Sequence, residues 1–194
     1  MSLRRDYSVI TDWIAPGARV LDLGCGDGTL MKLLKETRDI SGYGIEIDDA
    51  KIPLCIANGV NVLQRDLEGG LRDLDDQSFD CVILSQTLQA MRHTELVLTE
   101  MLRIGREAIV TFPNFGYWHV RLQLLMGRMP VSDDLPYQWY DTPNVHLFTI
   151  ADFDALCEKK GYRVISRQVL VGDTPVTALA NIRGSLAMYR LTGS

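Results

Sequence analysis

The stretch VLDLGCGDGTL, residues 20–30, constrains the fold of this chain more than any other part of it. An apolar run ends in an acid, Asp22, and then breaks into three glycines within five residues, at Gly24, Gly26 and Gly28. A strand that enters a glycine turn and continues as a helix places backbone N–H groups around a small cavity. The stretch therefore predicts a strand, a ligand-binding turn and a helix.

Length and charge restrict the classes that remain. With 194 residues, of which 46% are hydrophobic, the chain is long enough for one globular domain with a proper core, spanning residues 1–194. The net charge of −5 argues against a nucleic-acid-binding protein, because such proteins need a basic face. No apolar run approaches the roughly 18 residues of a membrane span. We expect neither a nucleic-acid nor a membrane partner.

The cysteines favour a reduced environment. The four cysteines are scattered, without a CxxC spacing, so they indicate neither a zinc site nor a disulfide framework. The chain shows no signal peptide. We therefore expect a cytoplasmic protein without a bound metal.

Short β-rich runs alternate with amphipathic stretches, a pattern typical of a parallel sheet flanked by helices. The predicted strands are 19–23, 42–47, 61–64, 80–85, 108–112, 163–171 and 186–191. Helical apolar spacing follows the glycines and recurs at 96–104 and 153–157, where Gly161 is placed as a C-cap. The prediction is an α/β, Rossmann-like fold: a mostly parallel sheet of about seven strands with helices on both faces.

One segment, residues 115–145, breaks this alternation. It is rich in aromatic residues and carries three prolines, with one possible short helix at 120–126. A connection this long in a compact α/β domain is usually functional or disordered. Its aromatic content predicts an ordered lid or a surface that contacts a partner.

The spacing of the glycines separates two kinds of cofactor turn. Dinucleotide sites use G-x-G-x-x-G, whereas this chain has D-x-G-x-G-x-G, with Thr29 in place of the last glycine. Glu46 lies at the end of the second predicted strand, 18 residues after Gly28, close to the ~20 at which such folds place a carboxylate on ribose. A tight turn without a ligand is the alternative interpretation.

At these residues the sequence resembles class I S-adenosylmethionine-dependent methyltransferases. The resemblance implies that Gly24, Gly26 and Gly28 surround the methionyl part of S-adenosylmethionine or S-adenosylhomocysteine. It also implies that Asp22 holds the amino group of this cofactor and that Glu46 binds its ribose.

The same resemblance extends the cofactor site to two further strands. It places Asp66, with Leu67 beside it, near the adenine amine, although Asp66 could also be an ordinary loop acid. Ser85, at the end of the fourth predicted strand, completes the cofactor-binding candidates.

Segments such as SQTLQ and LPYQWYDTPN, which general methyltransferases lack, are similar to the MetW methionine-biosynthesis family over residues 5–171. That resemblance implies homoserine O-acyltransferase as a partner. It implies the methyltransferase fold without naming a methyl acceptor.

The sequence does not identify a catalytic group. Ser85 to Leu88 stand where amino methyltransferases of nucleic acids carry Asn/Asp-Pro-Pro-Tyr, which argues against a nucleic-acid acceptor. His119 and His146 are the weak catalytic candidates, since histidine is the usual proton acceptor at neutral pH. The alternative for His146 is a hydrogen bond to a loop carbonyl before the next helix.

Two functions are therefore predicted. The first is an S-adenosylmethionine-binding protein of methionine biosynthesis that acts with or modulates homoserine O-acyltransferase. The second is an active methyltransferase on an unidentified small molecule.

Overall fold

The computed structural model describes residues 4–193, which form one eight-stranded sheet with helices on both faces. The strands are β1 (Arg19–Leu23), β2 (Ser41–Glu46), β3 (Val62–Gln64), β4 (Phe79–Ser85), β5 (Gly105–Pro113), β6 (Arg163–Val171), β7 (Thr174–Pro175) and β8 (Leu186–Thr192). The helices are α1 (Arg5–Trp13), α2 (Thr29–Arg38), α3 (Ile52–Ala57), α4 (Thr94–Ile104), α5 (Trp118–Leu125), α6 (Ile150–Lys160) and α7 (Ala180–Arg183). Two 3₁₀ turns lie at Leu67–Gly69 and Leu88–Ala90.

The strand order is β3-β2-β1-β4-β5-β8-β6-β7. The first five strands in this order pair in parallel, whereas β8 runs antiparallel to both β5 and β6. The order reverses between β1 and β4, and parallel α/β sheets bind ligands outside the carboxyl ends of the strands at such a switch point. The predicted mostly parallel sheet is confirmed, with one short additional strand, β7.

Two apolar cores cover the two faces of the sheet. On one face α1 and α2 place Ile10, Met31 and Leu34 against Val20 of β1. On the other face the buried side chains of α4 and α6 pack on the strands, as Phe153 does. Because both faces are covered, β1 and β4 are buried at almost every position and show no alternation of buried and exposed residues.

Helix α1 was missed by the sequence prediction. Its buried apolar positions Tyr7 and Ile10, with Ile14 directly after the helix, do follow helical spacing, but the helix has no side-chain N-cap to mark its start. Helix α3 was also missed, since it spans only six residues and Pro53 lies in its first turn. Among residues 4–193, no helix is long and apolar enough to cross a membrane.

The predicted excursion after β5 is held at both ends by one buried amide. Asn114 is 1% exposed, and its Oδ1 accepts hydrogen bonds from the backbone N–H of Gly116 and of Ile150. Its Nδ2 donates to the carbonyl oxygens of Asn181 and Gly184. Asn114 therefore joins the start of the segment, at Gly116, to Ile150, which lies after it. Helix α5 lies between these two points and begins at Trp118 rather than at the predicted residue 120.

Candidate functional site

The glycine turn and the end of β2 meet at the carboxyl edge of the sheet. Parallel pairing places Leu23 of β1 beside Ile45 of β2, and the carbonyl of Ile45 accepts hydrogen bonds from the N–H groups of Gly24 and Cys25. The N–H of Gly26 then donates to Oε2 of Glu46 at 2.7 Å. The acid that ends β2 is therefore joined directly to the turn that follows β1.

The three glycines are required for two different reasons. A Cβ on Gly24 would lie 2.8 Å from Oγ1 of Thr87, and a Cβ on Gly28 would lie 3.3 Å from the backbone of Cys55, so both positions need close packing. Gly26 has a left-handed φ of +59° and open space where its Cβ would be. Only at Gly26 does the missing side chain leave room in front of the backbone for a ligand.

Asp22 is a buried carboxylate with one oxygen that lacks a hydrogen-bond donor among the described residues. It is 2% exposed, and among the described residues its Oδ1 has no hydrogen-bond partner. Burial raises the pKa of Asp22 to about 7, Arg4 opposes this shift, and Glu46 adds to it. A buried acceptor that lacks a donor is costly, which is typical of a group that acts on a ligand.

A polar network beside Asp22 was missed by the sequence analysis. The Oγ of Ser85 donates to Asp6 at 2.8 Å and accepts from Arg4 at 2.7 Å. Thr111 of β5 also donates to the carboxylate of Asp6, which is fully buried. Asp6 and Arg4 come from the start of α1, so the helix closes the edge of the sheet where Ser85 lies.

Ser85 therefore already has protein partners. Its hydroxyl is 3.1 Å from that of Thr111, and the side chain is 7% exposed. Its role toward a cofactor stays a prediction. The charged run Arg-Arg-Asp-Tyr near the start of the sequence is the pattern that could have indicated this contact. Only the fold shows that Arg4 and Asp6 reach Ser85 at the end of β4.

The carboxylate of Glu46 accepts hydrogen bonds from the backbone of the glycine turn and from the backbone that follows β2. Besides Gly26, its carboxylate accepts from the N–H groups of Ile47 and Asp48, at 2.9 and 3.0 Å. The side chain is 6% exposed. Glu46 therefore fixes the shape of the turn, in addition to any contact it makes with a ligand.

The remaining predicted cofactor residues lie along the same edge. Asp66 follows β3 and is exposed, and its Oδ1 accepts from the N–H of Glu68 at 2.9 Å, which caps the 3₁₀ turn. Leu67 is buried in the apolar core. Asp66 retains an exposed carboxylate beyond the end of β3, whereas Leu67 can offer only apolar surface.

The two candidate catalytic histidines are distant in sequence from the glycine turn, and the contacts described for them involve other residues. The Nε2 of His146 is 3.3 Å from the carbonyl oxygen of Arg92, the kind of contact expected for a structural role. His119 is exposed on α5, with its ring near Tyr117 and Trp118. Among the described residues, no group of three or more His, Cys, Asp or Glu could hold a metal ion.

Several solved structures with this fold are S-adenosylmethionine-dependent methyltransferases. One from Thermotoga maritima, a possible histamine N-methyltransferase, has a TM-score of 0.69 at 19% identity and covers 97% of this chain and 88% of its own. Magnesium protoporphyrin IX methyltransferase from Synechocystis, solved with S-adenosylhomocysteine bound, has a TM-score of 0.68 at 15% identity and covers 98% and 83%. The predicted class I methyltransferase fold is confirmed.

Sequence relatives are more specific. A bifunctional methionine biosynthesis protein MetXA/MetW from Rhodopirellula baltica is 36% identical over 162 residues. The match covers 78% of this chain but only 26% of that relative, so the chain spans about a quarter of its length. Residues 4–191 match the family described as methionine biosynthesis protein MetW. The chain therefore belongs to the MetW family.

Proposed function

We propose that this chain binds S-adenosylmethionine or S-adenosylhomocysteine at the glycine turn, and that it acts with or modulates homoserine O-acyltransferase in methionine biosynthesis. The observation that carries the proposal is the open space in front of Gly26, next to the buried and incompletely bonded Asp22. The turn offers close backbone approach and a carboxylate, and its shape suits a cofactor without phosphates.

The residues present fit the groups of this cofactor. The carboxylate of Asp22 can accept from an ammonium group, and Glu46 can accept from ribose hydroxyls. Asp66 has an exposed carboxylate at the same edge for an amine donor. When bound, S-adenosylmethionine supplies a methyl group on a sulfonium, while the residues named here only hold and orient it.

The partner is proposed from the fused relative. In that protein MetXA and MetW are parts of one chain, and we take MetXA to be the homoserine O-acyltransferase that the resemblance implies. The segment 115–145 is proposed as the contact surface, and the protein is proposed to act in the cytoplasm. Large apolar side chains exposed along this segment support the surface.

Assays of the acyltransferase test this function. The enzyme is assayed alone, with this chain, and with this chain plus S-adenosylhomocysteine, which has no methyl group to transfer. A change in rate that depends on the chain and responds to S-adenosylhomocysteine supports modulation without methylation. An enzyme whose rate is indifferent to the chain, with or without the ligand, contradicts the proposed partnership.

Replacing Glu46 with alanine is expected to weaken S-adenosylhomocysteine binding by about 1–3 kcal/mol, because charged hydrogen bonds to the ligand are lost. Calorimetric titration measures the change. Asp48→Ala is the matched control, since Asp48 is exposed and its side chain accepts only from the N–H of Ala50 among the described residues. Equal affinities for Glu46→Ala and the wild type would place the ribose contact elsewhere.

Trp139→Ala and Tyr140→Ala probe the contact segment. The two side chains are 70% and 71% exposed, and their rings are 5.7 Å apart in an edge-to-face arrangement. Because both are exposed, each truncation is expected to change the free energy of unfolding by less than about 0.5 kcal/mol. At least one is expected to weaken binding to the acyltransferase by about thirtyfold, measured by calorimetry, with cofactor affinity unchanged. Full partner binding by both variants would remove these side chains from the interface.

A further inference from the structure

Helix α5 is apolar on the side that faces away from the domain. Trp118, Leu122 and Leu125 recur at i, i+4 and i+7 and are 50%, 42% and 84% exposed. On the opposite side Val120 is 1% exposed and anchors the helix to the domain. A helix that is apolar on both sides is normally buried on both sides.

The exposed stripe continues past the end of the helix. Met126 is 60% exposed and Met129 is 47% exposed. Aromatic residues and methionine are enriched at the centres of protein interfaces, and flexible thioether side chains adapt to irregular surfaces. We define the α5 stripe as Trp118, Leu122, Leu125, Met126 and Met129.

The helix that carries the stripe is held firmly by its polar residues. The Nε of Arg121 donates to the carbonyl oxygen of Gly116 at 2.6 Å. The carboxamide of Gln123 donates to the carbonyl and accepts from the N–H of Val131, both at 3.1 Å. These hydrogen bonds join α5 to backbone groups before and after the helix, and none of them involves a side chain of the stripe. A surface ordered before binding loses less conformational entropy when a partner covers it.

The charges near the stripe argue against a membrane surface. Helices that lie on membranes carry lysines and arginines on their polar face. Residues 118–147 contain two arginines, three aspartates and no lysine. This segment therefore lacks the basic excess that would hold it to anionic lipids.

We infer that the α5 stripe is the helical element that docks into an apolar groove of homoserine O-acyltransferase. This inference rests on the proposed function, because the fused MetXA/MetW relative is what selects this occupant over a second copy of the chain. The i, i+4 and i+7 spacing is the pattern by which one helix face fills a groove. The stripe extends the proposed contact from Trp139 and Tyr140 to a second, regular element.

The test measures the dissociation constant between purified acyltransferase and this chain by calorimetry, with sedimentation to record the oligomeric state of each. Leu125→Glu and Trp118→Ala are expected to weaken binding at least thirtyfold. Ile56→Glu is the matched control, since Ile56 is 66% exposed on α3, and it is expected to bind like the wild type. Unchanged S-adenosylhomocysteine affinity and melting temperature verify that each variant is folded.

The outcomes separate this inference from the proposed function. Wild-type affinity in both stripe variants would overturn the inference while leaving the partnership intact. A wild-type chain that fails to bind the acyltransferase would overturn both. Self-association of the wild type that Leu125→Glu abolishes, or binding to anionic vesicles that it abolishes, would assign the stripe to a different occupant and overturn the inference.

Discussion

Gly26→Val is expected to abolish detectable binding of S-adenosylhomocysteine, a loss of more than about a hundredfold. The valine side chain would fill the open space in front of the turn, where the ligand must approach the backbone. The left-handed φ of +59° adds a backbone cost of about 1–2 kcal/mol, so the variant also loses some stability. Calorimetry measures binding, and thermal unfolding measures the second effect.

Gly17→Val separates the two effects. Gly17 has a φ of +74°, and a Cβ there would also meet nothing within 4 Å, but it lies in the turn before β1, at the opposite edge of the sheet. The control is expected to lose similar stability and to keep wild-type affinity. If folded Gly26→Val retained the affinity of the wild type, the ligand would have to bind elsewhere.

Asp22→Asn is expected to stabilise the ligand-free protein at pH 8 and to weaken cofactor binding. In the folded protein the pKa of Asp22 is about 7, above its ordinary value of 3.8, mainly because of burial. The folded state therefore favours the protonated form, so the contribution of this group to stability falls as the pH rises from about 4 to 7. Above pH 7 the variant avoids a buried charge, and we expect a gain of about 2–4 kcal/mol.

Binding is expected to change in the opposite direction. The ionised carboxylate accepts from the ammonium group of the ligand, so wild-type affinity should rise as the pH increases from 6 to 8. Asparagine cannot ionise, and its affinity should be weaker by about 1.5–3 kcal/mol at pH 8, with a flatter pH profile. The charged neighbours of Asp22 are the same in the wild type and the variant, so a difference between the two pH profiles reports on Asp22 itself; these neighbours are Arg4, Asp6 and Glu46. A wild-type affinity independent of pH over this range, or an Asp22→Asn variant of equal affinity, would contradict the role of Asp22.

Local patterns were sufficient for most of the fold. The predicted boundaries of β1 and β6 coincide with the observed ones, because each run is rich in valine, isoleucine or leucine and has a glycine shortly before and directly after it. The predicted C-cap at Gly161 is also observed, with a left-handed φ of 71°. Helix α3 escaped prediction because six residues give too few turns for a helical period to emerge.

Part of the candidate site could likewise be predicted from the sequence, and part could not. Asp22, the glycines and Glu46 could be placed at one edge because the carboxyl ends of neighbouring parallel strands always meet there. The contact of Arg4 and Asp6 with Ser85 joins residues about 80 positions apart, and no local pattern encodes it. The bond from Gly26 to Glu46 depends on the side-chain conformation in the folded turn, which the sequence does not specify.

A crystal structure of the protein with S-adenosylhomocysteine tests the central claim most directly. We predict ligand density in front of Gly26, with the amino group at Asp22 and the ribose at the end of β2 beside Glu46. Density at another position, or an empty glycine turn in crystals grown with saturating ligand, would contradict the assignment of this turn as the cofactor site.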